Sequence, residues 1–141
     1  MASVFCIKET AMQIGEIIEE VDKLKPNHYD SYIKIKWLSD LDHMFKREVI
    51  DTHEGGEDIS FSGYDANTPL TEVLLVPEPY SQVYRWYLEA QIDLANGELE
   101  KYNNSIMMYN NAVNSYQNWY NRTVMPKQTN VRFYRPVRSD A

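Results

Sequence analysis

The sequence predicts an all-α protein: a helical bundle of about four helices, with a small β-hairpin or extended arm between the second and third helices and an extended C-terminal tail. Three observations support this prediction. Four segments place apolar side chains three and four residues apart, which is the spacing of one helix face. Residues 51–79 interrupt that period with an acidic loop and a β-branched run. No helical period follows Pro126.

The first two helices are predicted on either side of Pro26. Thr10 and Gln13 have the spacing of a capping box, so we expect the first helix to begin there. Its apolar face comprises Ile14, Ile17, Ile18 and Val21. Pro26 ends this helix, and Asn27 is the expected N-cap of the second, whose apolar period continues to about residue 50. The short connection predicts antiparallel packing of the two helices.

The loop or β arm is predicted over about residues 51–79. Residues 51–58 are acidic and contain two glycines. Residues 70–76 are the best strand candidate, because β-branched and apolar side chains dominate them. Ile59, Phe61 and Tyr64 indicate a second short strand. These two segments are expected to form either a small hairpin or a single extended arm.

The third and fourth helices are predicted to form a hairpin around Asn96-Gly97, a strong helix stop. The fourth is expected to run to about Arg122. A stripe with strict helical spacing marks it: Leu99, Tyr102, Ile106, Tyr109, Val113, Tyr116 and Tyr120. Seven asparagines between residues 103 and 121 cost the helix about 4 kcal/mol relative to alanine, so packing along the stripe must hold it. Much of the stripe is expected to lie in the domain's own core.

The charge is distributed unevenly along the chain. The net charge is −7, with −9 in residues 1–80 and +3 in residues 127–141. An acidic body argues against a protein that reads DNA sequence, but it suits a surface past which DNA slides. Cys6 is the only cysteine, which excludes an intramolecular disulfide and fits a reducing, cytosolic origin. We expect neither a signal peptide nor a membrane span.

Candidate catalytic and metal-binding patterns are incomplete. Glu16 and Glu19 match the E-x-x-E half of the magnesium site in all-α nucleotide pyrophosphohydrolases, but the E-x-x-D half is missing from the later helices. The three histidines are not spaced as a metal pair and are expected to be structural or solvated. We therefore expect no enzyme activity, no cofactor and no metal site, with the hydrolase kept as an alternative.

The C-terminal tail is the candidate interaction site. The chain divides into a helical domain over residues 1–126 and an extended basic arm over residues 127–141. Arginines and aromatic side chains alternate in this arm, which suits contact with DNA or with an acidic protein surface. The candidate interface residues are Arg132, Phe133, Tyr134, Arg135 and Arg138. Because the body is acidic, docking on a neighbouring copy is the simplest interpretation.

The second half of the chain resembles a known family. Its motifs are LLVPEPY at residues 74–80, Y-x-x-YL-x-A-x-ID at residues 84–93, NGE at residues 96–98 and WYNR at residues 119–122. These resemble the head–tail connector, or adaptor, proteins of tailed bacteriophages, over about residues 70–126.

The resemblance implies a viral structural protein. Such proteins form rings, typically of twelve copies, beneath the portal, where they extend the DNA channel and provide the surface for tail attachment. The implied partners are the portal protein, a tail or stopper component, neighbouring copies and genomic DNA that passes without sequence-specific binding, with no membrane. The implied location is the capsid–tail junction of the virion, after synthesis in the host bacterial cytoplasm. A further alternative is another phage assembly protein, such as a tail terminator.

Overall fold

Four helices form where the sequence repeats apolar side chains at helical spacing. The structure, a computed structural model, describes residues 11–127. In that range the protein is mainly helical, with one small antiparallel sheet of two strands. The elements are β1 (Ala11–Gln13), α1 (Ile14–Leu24), α2 (Ser31–Phe45) with a π-helical turn (Lys46–Ile50), a 3₁₀ turn (Gly56–Asp58), β2 (Val73–Pro77), α3 (Gln82–Ala95) and α4 (Leu99–Thr123). The mainly helical class and the four helices are confirmed.

The predicted start of the first helix is wrong. Residues 11–13 are extended, and α1 begins only at Ile14. The Glu16 carboxylate accepts a hydrogen bond from the Gln13 backbone N–H at 3.0 Å, so the cap lies three residues later than the box at Thr10 suggested. Two free N–H groups of the first turn donate to loop carbonyls, from Ile14 to Glu72 and from Gly15 to Leu70. Residues 11–13 are extended because they pair with β2, and the loop before β2 binds the first turn of α1.

The predicted strand near residues 70–76 is present as β2, but the predicted hairpin with residues 59–64 is wrong. β2 instead pairs antiparallel with β1, with Ala11 opposite Pro77 and Gln13 opposite Val73. Residues 61–64 lie on α2, where the Tyr64 backbone N–H donates to Ser39 Oγ at 3.0 Å. Side-chain contacts on α2 thus replace the strand pairing that the pattern suggested.

The second helix begins later than predicted. Asp30, not Asn27, is its N-cap, and the Asp30 carboxylate accepts from the Ile33 N–H at 3.1 Å. The Asn27 amide oxygen accepts from the Tyr29 N–H at 3.1 Å, which shapes the connecting loop. Asn and Asp are both good N-cap residues. The loop after α1 continues past Asn27, so Asp30 takes the cap position.

The core lies between α1, α2, β2, α3 and the C-terminal end of α4. The buried apolar face predicted for α1 is confirmed, because all four of its residues are buried. On α4 the prediction holds only near the end, where Tyr116 and Tyr120 are buried. Leu99 is 63 % exposed, and the middle of the stripe is half-buried. α4 packs mainly against α3, and Leu99, Met107 and Met108 in its N-terminal half remain exposed, so only one side of that half is covered.

Buried polar contacts fix the turn end of the α3–α4 hairpin. Asp93 is fully buried and accepts hydrogen bonds from Lys25 Nζ at 2.6 Å and from Ser105 Oγ at 2.9 Å. Gly97 has a φ of 76°, which supplies the left-handed residue that the sequence predicted at this turn. α1, α3 and α4 are thereby joined at one point. Within residues 11–127 no helix has the length and apolarity needed to cross a membrane.

Two matched leucine substitutions test this packing. Leu88 on α3 is fully buried, so Leu88→Ala should lower the free energy of unfolding by about 2–5 kcal/mol. Leu99→Ala removes the same atoms from an exposed position and should change it by no more than about 0.5 kcal/mol. Urea unfolding of both variants, followed by circular dichroism, measures the difference. Similar losses in the two variants would contradict the one-sided packing of α4.

Candidate interaction site

A buried carboxylate, Asp42, joins three elements beneath an apolar cleft. Asp42 lies on α2 with no exposed surface. Its oxygens accept hydrogen bonds from the Tyr64 hydroxyl at 2.5 Å, from the Tyr84 hydroxyl at 2.7 Å and from the Leu75 N–H at 3.1 Å. The Tyr84 hydroxyl in turn accepts from the Val76 N–H at 2.7 Å. One side chain thus positions β2, α3 and the loop before β2 relative to α2.

The electrostatics of this cluster are dominated by burial. Desolvation raises the pKa of Asp42 from 3.8 to about 6, although the three donors oppose that rise. Burial, and then the neighbouring carboxylate, raise the pKa of Tyr64 and of Tyr84 well above their usual range. Both hydroxyls are therefore protonated and able to donate at neutral pH.

Helical spacing alone does not assign Asp42 a structural role. A signal was nevertheless present, because Asp42 lies at helical spacing among Leu38, Leu41 and Phe45, which form the apolar face of α2. An acid in such a position is either satisfied by buried donors or excluded from the core. The tyrosines that satisfy it come from distant parts of the chain, and periodicity alone does not identify them.

The cleft above this cluster has a volume of about 420 Å³ and lies between residues 58–64, β2 and the C-terminal end of α4. Apolar and aromatic side chains make up most of its lining, including Phe61, Leu74, Tyr116 and Trp119. Asp58 and Glu72 also line it. Its chemistry is therefore that of a receptor for an apolar or aromatic group with a positive charge nearby.

The described chain ends beside this cleft. After α4 it runs back along residues 52–57, where the Glu54 N–H donates to the Met125 carbonyl at 2.8 Å and the Lys127 N–H donates to the Thr52 carbonyl at 2.9 Å. Lys127 Nζ lies 3.5 Å from the Glu57 carboxylate. A hydrogen bond from its own backbone N–H, and then the charge of Lys127, lower the pKa of Glu57. Lys127 is thereby held at Glu57, the residue that precedes the cleft-lining Asp58.

The predicted interface residues Arg132, Phe133, Tyr134, Arg135 and Arg138 lie outside the described residues. Lys127, the first residue of the predicted arm, is the part of it that the structure describes. The role of the arm in docking therefore stays a prediction.

The carboxylates considered for a magnesium site serve other roles. Glu16 caps α1, and Glu19 forms an exposed ion pair with Lys23 at 3.4 Å. Residues 11–127 contain no group of three or more His, Cys, Asp or Glu side chains that could hold a metal. His53 is buried, and its ring nitrogens lie 2.6 Å from the Val49 carbonyl and 2.7 Å from Asn121 Oδ1. It joins the π-helical turn to α4.

Comparison with known proteins adds no relative. No family model, curated protein or solved structure matches the chain. The resemblance to connector proteins depends on the short motifs between residues 74 and 122, and the connector class stays a prediction.

The Asp42 cluster predicts an unusual pH dependence. From about pH 4 to pH 6 the folded protein retains a proton that the unfolded chain has lost, so the contribution of Asp42 to stability falls as pH rises. A difference of about two pKa units corresponds to about 3 kcal/mol. Asp42→Asn keeps an acceptor for Leu75 and Tyr64 without the titrating group. Its free energy of unfolding should therefore rise relative to the wild type by about 3 kcal/mol between pH 4 and pH 7.

Chemical denaturation at several pH values measures this difference. Asp40→Asn makes the same chemical change at an exposed position on α2 and is the matched control. Parallel pH curves for Asp42→Asn and the wild type would show that the carboxyl of Asp42 does not titrate in this range.

Proposed function

We propose that the protein is a head–tail connector, or adaptor, that assembles as a ring beneath the portal of a tailed bacteriophage. The observation that carries the proposal is the agreement between the motifs of the resemblance and one structural unit. LLVPEPY covers most of β2 and the turn after it, Y-x-x-YL-x-A-x-ID lies within α3, NGE forms the turn, and WYNR lies at the end of α4. The first motif thus covers the strand before the hairpin, and the other three cover successive parts of the hairpin.

Exposed apolar side chains on this hairpin support self-association. Leu94 and Leu99 lie on either side of the NGE turn and are 47 % and 63 % exposed. Met107 on α4 is 57 % exposed. Packing between neighbouring copies would remove such surface from water, at about 25 cal/mol for each Å² buried. The one-sided packing of α4 leaves it available for that contact.

The charge distribution supports both head-to-tail contacts and the passage of DNA. The acidic body repels the phosphate backbone, so DNA would cross a channel lined by it without strong binding. The basic residues 127–141 complement the acidic surface of a neighbouring copy. Opposed charges on two parts of one chain suit a heterologous interface, which generates a ring when the rotation closes.

The proposal is tested by mixing the purified chain with portal rings and imaging the product by electron microscopy. The expected result is a ring of this chain on the tail-facing side of the portal, and mass spectrometry should find the chain in purified particles. A monomer that binds no portal and is missing from particles would overturn the proposal. Magnesium-dependent nucleotide turnover that is lost in Glu19→Ala would support the hydrolase alternative instead.

Removing the positive charges of the arm should weaken assembly. The variant Arg132→Ala/Arg135→Ala/Arg138→Ala should reduce ring formation on the portal at least tenfold, because it removes the charges that face an acidic neighbour. Lys23, Lys36 and Lys101 are exposed on the helices, and their replacement by alanine is a matched control with the same net charge. Sedimentation of portal complexes at increasing salt measures both variants. If ring formation falls equally in the two variants, the effect is due to net charge alone.

A further inference from the structure

We propose that the apolar cleft between residues 58–64, β2 and the end of α4 is the docking site for residues 131–137 of the same chain. The inference concerns the single chain and does not depend on the connector function. It assigns an occupant to a surface whose aromatic lining would otherwise face water.

The position of the chain end favours this occupant. Lys127 is tied to Thr52 and Glu57, one residue from Asp58 at the cleft. Three residues separate Lys127 from Val131, and four extended steps span about 13 Å. The segment that follows therefore begins within reach of the cleft and needs no long linker.

The chemistry of the segment matches the lining. Phe133 and Tyr134 supply aromatic side chains for a cleft formed by Phe61, Leu74 and Trp119. Aromatic side chains bury about 150–250 Å² each, and edge-to-face or stacked contacts with other rings add to that burial. The same cleft already contains such contacts, since the rings of Phe61 and Tyr64 lie 5.1 Å apart at a steep angle.

The charges also match. Arg132 and Arg135 flank the aromatic pair, and the carboxylates of Asp58 and Glu72 line the cleft. Arginine is well suited to such pairing, because its planar guanidinium can bind a carboxylate through two parallel hydrogen bonds. An apolar centre with acidic groups at its border thus complements an aromatic pair with arginines on both sides.

Two other occupants are disfavoured. Residues 1–10 precede Ala11, which also lines the cleft, but their single lysine and single glutamate leave them without net charge to match it. The arm of a neighbouring copy has the same chemistry but is not covalently linked to the cleft. A short covalent linker gives the arm of the same chain an effective concentration in the millimolar range, far above that of free protein in dilute solution.

Cross-linking of the full-length protein in dilute solution tests the proposal. In a Cys6→Ser background, Ser60→Cys places a thiol at the cleft and Pro136→Cys places one in the arm without removing an aromatic or a charge. A short bismaleimide should join the two within one chain, which intact mass spectrometry detects as a cross-linked monomer. In the matched control the arm thiol is paired with Asn104→Cys, an exposed position about 22 Å along α4 from Trp119. This pair should react at least tenfold more slowly.

Each alternative gives a different product. Cross-linked dimers would assign the cleft to the arm of a neighbouring copy and overturn the proposal. Equal rates for the two pairs would also overturn it, because the arm would then have no preferred position. In a second variant, Ser60→Cys with the native Cys6, cross-linking faster than that of the Ser60→Cys/Pro136→Cys pair would identify residues 1–10 as the occupant instead.

The aromatic pair is tested in the same assay. Phe133→Ser/Tyr134→Ser should remove the rate advantage of the Ser60→Cys/Pro136→Cys pair, whereas Ser139→Ala/Asp140→Ala, just beyond the segment, should leave it unchanged. An unchanged rate in the first variant would contradict docking through the aromatic side chains. Because these measurements use monomer without portal, their failure would leave the ring proposal untouched.

Discussion

The hydrogen bonding of Asp42 is the constraint on which the rest of the structure depends. Removing a carboxylate from water costs several kcal/mol unless donors replace the lost hydration. Here two tyrosine hydroxyls and one backbone N–H replace part of it, and they come from three separate parts of the chain. Satisfying Asp42 therefore requires that the loop before β2, β2 itself and α3 all reach their final positions.

This requirement explains how so small a sheet persists in a helical protein. β1 has three residues and β2 has five, and a two-stranded sheet of that size is at best marginally stable on its own. β2 is held instead from both sides, by pairing with β1 and by donation of the Leu75 and Val76 N–H groups to the Asp42 cluster. Because β2 forms one wall of the cleft, these hydrogen bonds also hold that wall in position.

Sequence patterns predicted those features that depend on neighbours along the chain. Helical spacing located all four helices, and Asn96-Gly97 located the hairpin turn because only local backbone conformation decides it. The pairing of β2 with residues 11–13 joins segments about 60 residues apart, and a local pattern contains no information about that choice. The stripe on α4 is a second case in which a local pattern predicts only part of the structure. Its spacing is correct, but spacing does not reveal that the first half meets one partner helix while Tyr116 and Tyr120 meet the core.

The cleft depends on both local and distant features of the chain. Contacts between distant segments form its walls, whereas its proposed occupant follows Lys127 directly along the chain. The same arm is also proposed to contact a neighbouring copy in a ring, and one segment cannot occupy two sites at once. The two roles are compatible if the arm leaves its own cleft for the equivalent cleft of a neighbour. Every contact is then reformed, and the exchange loses only the advantage of covalent connection. Such an exchange is unfavourable for free monomers and becomes favourable when the portal holds copies side by side, because proximity restores the effective concentration that the linker had supplied.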